Sequence, residues 1–264
     1  MPTHRFERRT LALIALLAVF FCRSTASASN ALSFPATEFT ILDPRTNFAM
    51  GRGRYSIKSI PGGAILQGTN RYDTGSSDVE TARIETAPDG SARLVEADHT
   101  FFKIDGSIMQ RSHIDMKAGD GTCVNNTLDP KIEETDPILI PPDTWSGASV
   151  LIPIQRFLRE GVTETQHLHV FNCAPTPKIF AIKVKFDRAA QLWPPYSADA
   201  FQVEVRPDFG WINILIAPFV PKLHAWFDPL DDWNFVGSEA ARFYKGPPIM
   251  LVKTRGSPTT QAKQ

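Results

Sequence analysis

His167-Leu168-His169 places two imidazoles on one face of a strand, because side chains two residues apart point the same way. Two neutral imidazoles are the beginning of a divalent-metal site. A third ligand is needed, and His99, His113, Asp115 and Glu164 have the right chemistry without a spacing that brings any of them to the pair. A metal-dependent hydrolase built on His167 and His169 is therefore one alternative, set against two exposed strand histidines. Asp228, Asp231 and Asp232, beside Trp226 and Trp233, have the ingredients of a sugar site, carboxylates next to aromatic platforms. The simpler reading is a loop whose acids cap turns while its aromatics pack. The chain has no glycine-flanked serine elbow and no phosphate-cradling loop with a lysine. No catalytic residue is assigned, no cofactor is expected, and a non-enzymatic role is favoured.

The elements that must position such groups are mostly strands. From Arg54 to Lys117, alternating segments are separated by turn clusters about every ten residues, the spacing of an antiparallel meander. Pro61-Gly62-Gly63, Asp73 to Ser77, Pro88-Asp89-Gly90 and Asp105-Gly106 are the turns. Val95, Ala97, His99 and Phe101 share one face of a strand, and Ile108, Gln110, Ser112, Ile114 and Met116 share one face of the next. Phe39 to Leu42 reads as an edge strand. Between Cys123 and Trp145 the prolines at 130, 137, 141 and 142 and an acidic run predict a long irregular connection. Ser146 is a suitable N-cap for a helix over 147–160, on which Val150, Leu151, Ile154, Phe157 and Leu158 form an apolar stripe. Pro153 predicts a late start or a bend. Strands return over 162–172, 178–186, 201–206, 211–217 and 249–253. Aromatic residues are dense from Trp193 to Tyr244, as core or as the wall of a groove.

The first 28 residues read as a secretory signal: Arg5, Arg8 and Arg9, then an apolar core over Leu11 to Phe21, then Ala26-Ser27-Ala28. That core is about half the ~20 residues a membrane-spanning helix needs, so no transmembrane helix is expected in the mature chain. Removing residues 1–28 takes four of the 28 basic residues and one of the 28 acidic ones, leaving a net charge near −3. Nothing in that balance suits nucleic acid as a partner. Cys123 and Cys173 are then the remaining cysteines, and an oxidising compartment predicts a disulfide between them. At 42% hydrophobic and 21% charged residues, the chain suits one large β domain. The organisation expected is a signal peptide over 1–28, a disordered stretch over 29–38, a single β-rich domain over 39–253 and a disordered tail over 254–264.

An export signal, a strand meander, the approach Pro141-Pro142-Asp143-Thr144-Trp145-Ser146-Gly147 into one amphipathic helix, and then more strands resemble the uncharacterised secreted bacterial proteins with incomplete β-barrels. These are similar to the half-barrels of the lipoprotein-localisation carriers. The resemblance implies a mainly β fold with one or two helices, an antiparallel curved sheet wrapped round the amphipathic helix. It also implies a concave face able to hold acyl chains or a peptide, for which Phe101, Ile114, Val150, Ile154 and Phe157 are the wall candidates. The function expected is a periplasmic or secreted envelope protein that binds a lipid-like or other apolar ligand. A protein-interaction or assembly module of the envelope, with a packed interior and a protein partner, is the other non-enzymatic reading.

Overall fold

The computed structural model describes residues 34–186, 200–208, 210, 223–243 and 246–254. The signal-like residues 1–28, the apolar run 211–217 and the tail 255–264 lie outside the described residues.

Alternation dictates the first half. Strands β1 (Phe34–Leu42), β2 (Ala49–Ile60), β3 (Gly63–Tyr72), β4 (Ser77–Thr86), β5 (Ala92–Phe102), β6 (Ile108–Asp115), β7 (Asp120–Asn125) and β8 (Ile132–Pro137) follow one another as an antiparallel meander. Two of its turns carry Asp-Gly-Ser, in which Asp89 and Asp105 accept the backbone N–H and hydroxyl of Ser91 and Ser107. The second half is β10 (Gln166–Cys173), β11 (Pro177–Phe186), β12 (Phe201–Pro207), β13 (Leu223–Asp228), β14 (Asn234–Ala241) and β15 (Pro248–Lys253). Strand β9 (Thr144–Ser146) adds to β10 in parallel, with Thr144 opposite His169.

The two halves join through their terminal strands, β1 pairing with β15 from Phe39 opposite Lys253 to Leu42 opposite Met250. Strand β1 is thus central rather than an edge: it pairs with both β2 and β15, and Phe39 and Ile41 are fully buried. It also begins at Phe34, inside the stretch expected to be disordered. Among the described residues the result is one 15-stranded curved sheet whose ends are β8 and β9, not closed into a barrel. Its ends curl over each other, so that β10 lies against β6 and β7 and β11 against β7 and β8. Phe171 of β10 packs directly on Gly121 of β7, where any Cβ would fall 2.6 Å from the ring. Beside that contact Cys123 and Cys173 form the expected disulfide.

The stretch read as an irregular connection holds β7, β8 and β9 instead. Strand β8, Ile-Glu-Glu-Thr-Asp-Pro, is a polar sheet edge with neither face fully buried, so it carries no hydrophobic alternation. A β-bulge displaces a second expectation: Arg83 pairs with Glu96 but Ile84 with Leu94, so Leu94 rather than Val95 shares the inner face with Ala97.

The helix α1 (Leu151–Arg159) follows a 3-10 turn over Gly147–Val150. Pro153 is its third residue, where a backbone N–H has no intrahelical acceptor to lose, which is why the late start removes the proline's cost. At the cap, the hydroxyl of Ser149 accepts the N–H of Ser146 at 3.1 Å and donates to its carbonyl at 2.6 Å. Gln155 and Arg159 tie the far side of α1 to the β13–β14 turn, donating to the carbonyls of Trp233 and Asp232.

Candidate functional site: a cavity with one polar end

Between the helix and the concave face of the sheet lies a cavity of about 760 Å³. Its apolar wall includes Leu66, Ile182, Val205, Phe227, Phe235 and Leu251 from the strands and Val150, Ile152 and Ile154 from the helical segment. Three of the five wall residues expected from sequence, Phe101, Val150 and Ile154, line it. Ile114 and Phe157 do not. Ile114 points into the solid core and is fully buried. Phe157 sits on a different flank of α1, edge-on to Phe186 with ring centres 6.2 Å apart.

One end of the cavity is polar. The sheet edge at the β3–β4 and β5–β6 turns presents Tyr72, Asp78 and Phe101, and neighbouring inward positions add Tyr55, Asn70, Glu80 and His99. Asp78 is the hub. Its Oδ2 accepts the Tyr72 hydroxyl at 2.9 Å, and its Oδ1 accepts Asn70 Nδ2 at 2.9 Å and lies 3.0 Å from His99 Nε2. Asn70 Nδ2 also donates to the Tyr55 hydroxyl at 2.9 Å. The ring of Tyr55 lies flat across β3 because residue 68 is glycine: a Cβ there would meet it at 2.4 Å.

Glu80, two residues along the same face, accepts the N–H of Ala148 through Oε1 at 2.6 Å. This bond pins the start of the helical segment to β4. It requires Gly147, whose φ of +52° lies in the left-handed region and whose Cβ, were there one, would fall 2.1 Å from the same Glu80 oxygen. The Trp-Ser-Gly approach noted in the sequence thus serves to seat the turn on a buried carboxyl.

Burial raises the Glu80 pKa above its ordinary 4.5, against the opposing pull of His99 and the Ala148 N–H. Burial alone would depress His99, but the charge of Glu80 and the bond and charge of Asp78 outweigh it and hold the imidazole above 6.5. Burial, then the nearby carboxylate charges, push both tyrosine hydroxyls well above 10, so they remain hydrogen-bond donors.

These directions fix a pH dependence. Glu80 and His99 both bind a proton more tightly folded than unfolded, so each contributes stability that is complete below its ordinary pKa and is lost as pH rises through the raised folded value. The turn aspartates Asp89, Asp105 and Asp115 are shifted down and act only at more acid pH. Urea midpoints measured from about pH 5 to about pH 8 should fall, and Glu80→Gln should flatten the acidic part of the slope. A midpoint that climbs over that range would contradict the assignment.

Among the described residues no serine, threonine or cysteine is hydrogen-bonded to His99, so the cluster lacks the nucleophile–base contact of acyl transfer. Its chemistry is that of an ordered, charged rim on an apolar chamber.

The other candidates are placed elsewhere. His167 is largely exposed and lies 3.5 Å from Asp208, whereas His169 is 2.9 Å from Asp143. Each imidazole has its own carboxylate, and among the described residues no three metal-ligating side chains converge. Of the possible third ligands, His99 belongs to Asp78, His113 lies 3.5 Å from Asp98, and Asp115 caps a turn. Asp228 also caps a turn, Asp231 meets Lys253 at 3.1 Å and Asp232 meets Arg159 at 2.6 Å, while Trp226 is buried in the sheet. This is the turn-and-packing arrangement rather than a pair of carboxylates flanking a cleft.

Tyr72, Asp78, Glu80 and Arg242 are site residues the sequence reading passed over. A signal existed: Asp78 and Glu80 share a face with Ala82 and Ile84, both buried, whereas Val79 between them is 40% exposed. Two acids on the apolar face of a strand mark a buried polar site.

Over the described residues the architecture is mainly β, a curved and largely antiparallel sheet with one α-helix, not closed into a barrel. Among solved structures the chain is similar to a β-barrel-like protein of domain of unknown function DUF1849 from Brucella abortus, with a TM-score of 0.44 and 13% identity, covering 83% of this chain and 94% of that one. No family model and no curated protein matches the sequence. Among the described residues no helix is long and apolar enough to cross a membrane.

Proposed function

We propose that this is a non-enzymatic exported envelope protein that holds a lipid-like or other apolar ligand in the concavity of its half-barrel. The observation that carries the reading is the cavity of about 760 Å³ between α1 and the sheet. Ligand sites typically measure ~300–1,000 Å³. Filling this one with solvent would take on the order of 25 waters, most of them against side chains that offer no hydrogen bond. Displacing such water with hydrocarbon is favourable by roughly 25 cal/mol per Å² of apolar surface buried. A chamber of that volume among the described residues supports this reading over an interaction module with a packed interior. Export is supported by the basic, apolar and small-residue pattern over 1–28 and by the disulfide, which suits a periplasmic or secreted location. The resemblance in element order to lipoprotein-localisation carriers points the same way.

The test is titration with a fluorescent fatty acid. The wild-type protein should bind it saturably, and Ile154→Trp or Leu66→Trp, which place an indole in the cavity, should abolish binding while the unfolding midpoint is kept or raised. Saturable binding that both tryptophan variants leave unchanged would place the ligand elsewhere and overturn the proposal.

A further inference from the structure

The cavity is lined by two arginines and two histidines from the described residues, and three of these four face a carboxylate: His99 meets Asp78 at 3.0 Å, Arg111 meets Asp98 at 2.5 Å, and His224 lies 3.8 Å from Glu239. Arg242 is different. It follows the last residue of β14 and has no carboxylate within ion-pairing distance among the described residues. Its guanidinium carbon sits 3.4 Å above the centre of the Tyr72 ring and 5.5 Å from that of Phe243. One terminal nitrogen donates to the Ser76 hydroxyl at 3.0 Å, and Nε is buried without a hydrogen-bond partner. The ring stack fixes the plane of the guanidinium, and the serine bond engages one nitrogen of its fork. Nearby acids are already engaged: both Asp78 oxygens accept bonds from Tyr72, Asn70 or His99, and Glu80 accepts the Ala148 N–H.

A half-buried arginine whose Nε is unpartnered, held flat on an aromatic at the polar end of an apolar chamber, is suited to a planar or tetrahedral oxyanion, which the guanidinium can grip through two parallel N–H bonds. We infer that the ligand is an anionic amphiphile: an acyl chain lies along the apolar wall and its carboxylate or phosphate head group is bound by Arg242. This rests on the apolar-ligand reading above and narrows it to one chemical class. Tyr72 and Phe243 position the guanidinium, and Phe101, whose ring centre is 5.7 Å from that of Phe243, closes the apolar side of the head-group site.

The experiment compares palmitate, lysophosphatidylglycerol and hexadecanol on the delipidated protein by calorimetric titration, with Arg242→Met and Arg242→Lys alongside wild type. Palmitate, lysophosphatidylglycerol or both should bind more tightly than hexadecanol, and the stronger of the two identifies carboxylate or phosphate as the head group. Arg242→Met should weaken that anion about tenfold to a hundredfold, the range for a hydrogen bond to a charged group, while leaving hexadecanol within about twofold. Arg242→Lys, which keeps the charge but loses the fork, should fall between. Equal affinity for hexadecanol and the anions, or equal losses for all three ligands in Arg242→Met, would overturn the head-group assignment and leave the apolar cavity standing. Failure of all three to bind wild type would overturn the cavity reading itself, and this inference with it.

Discussion

Asp78→Ala should destabilise the protein by about 3–5 kcal/mol, the cost of removing one partner from a buried charged pair. Asp78 is 1% exposed and organises three donors, so its loss leaves the Tyr72 hydroxyl, Asn70 Nδ2 and His99 Nε2 facing a methyl group. His99 would keep the charge of Glu80 in its surroundings but lose its hydrogen bond. Asp78→Asn, which preserves shape and one acceptor oxygen, should cost less than the alanine. Val79→Ala, on the opposite face of the same strand, should stay within about 0.5 kcal/mol of wild type. Equilibrium urea unfolding of the three variants measures this series. A loss below about 1 kcal/mol in Asp78→Ala would mean that the cluster is not the anchored network its geometry describes.

Much of this fold was legible in the sequence because the determining signals were local. The Asp-Gly turns and the period of two from Ile108 to Met116 specify β6 without any knowledge of its neighbours. Ser146, Gly147 and the proline at 153 specify a helix with a late start. What stayed hidden depended on long-range pairing. Whether Phe39 to Leu42 is edge or centre is decided by β15, more than two hundred residues away in sequence. The bulge at Arg83 and Ile84 exists only in the pairing with β5, and it moves Leu94 inside. The cavity wall was half legible for a related reason. Val150, Ile154 and Phe157 belong to one apolar stripe, but α1 is buried on several sides, and periodicity does not say which flank faces the chamber and which faces Phe186. Asp78 and Glu80 were missed because a charge in a strand reads as an outward residue unless its alternation partners are checked, and Arg242 because it follows a strand end and meets Tyr72 only through the fold.

Loss of the Cys123–Cys173 disulfide should have an effect of similar size. The bond ties β7 to β10 across the overlap of the sheet's two ends and closes a separation of 50 residues that contains β8, β9 and α1. Chain-entropy reasoning for a loop of that length gives about 4 kcal/mol. The consequence reaches the cavity, because Cys173 and its neighbour Asn172 line it, and β10 carries the parallel strand β9 from which the helical segment starts. Cys123→Ser with Cys173→Ser should therefore lower the urea midpoint and weaken binding of a fluorescent fatty acid together. Wild-type protein treated with reductant under mild denaturation should reproduce the variant. A double variant within about 1 kcal/mol of wild type would contradict the view that this cross-link secures the overlap.

The measurement that bears most directly on the proposed function is native mass spectrometry of the protein taken from an exported preparation, compared with its mass after denaturation. A bound apolar amphiphile predicts added mass on the native protein that disappears on denaturation, that extracts into organic solvent, and that is missing from Ile154→Trp prepared in the same way. Native and denatured masses that agree in wild type, in a preparation that also fails to take up added fatty acid, would contradict it.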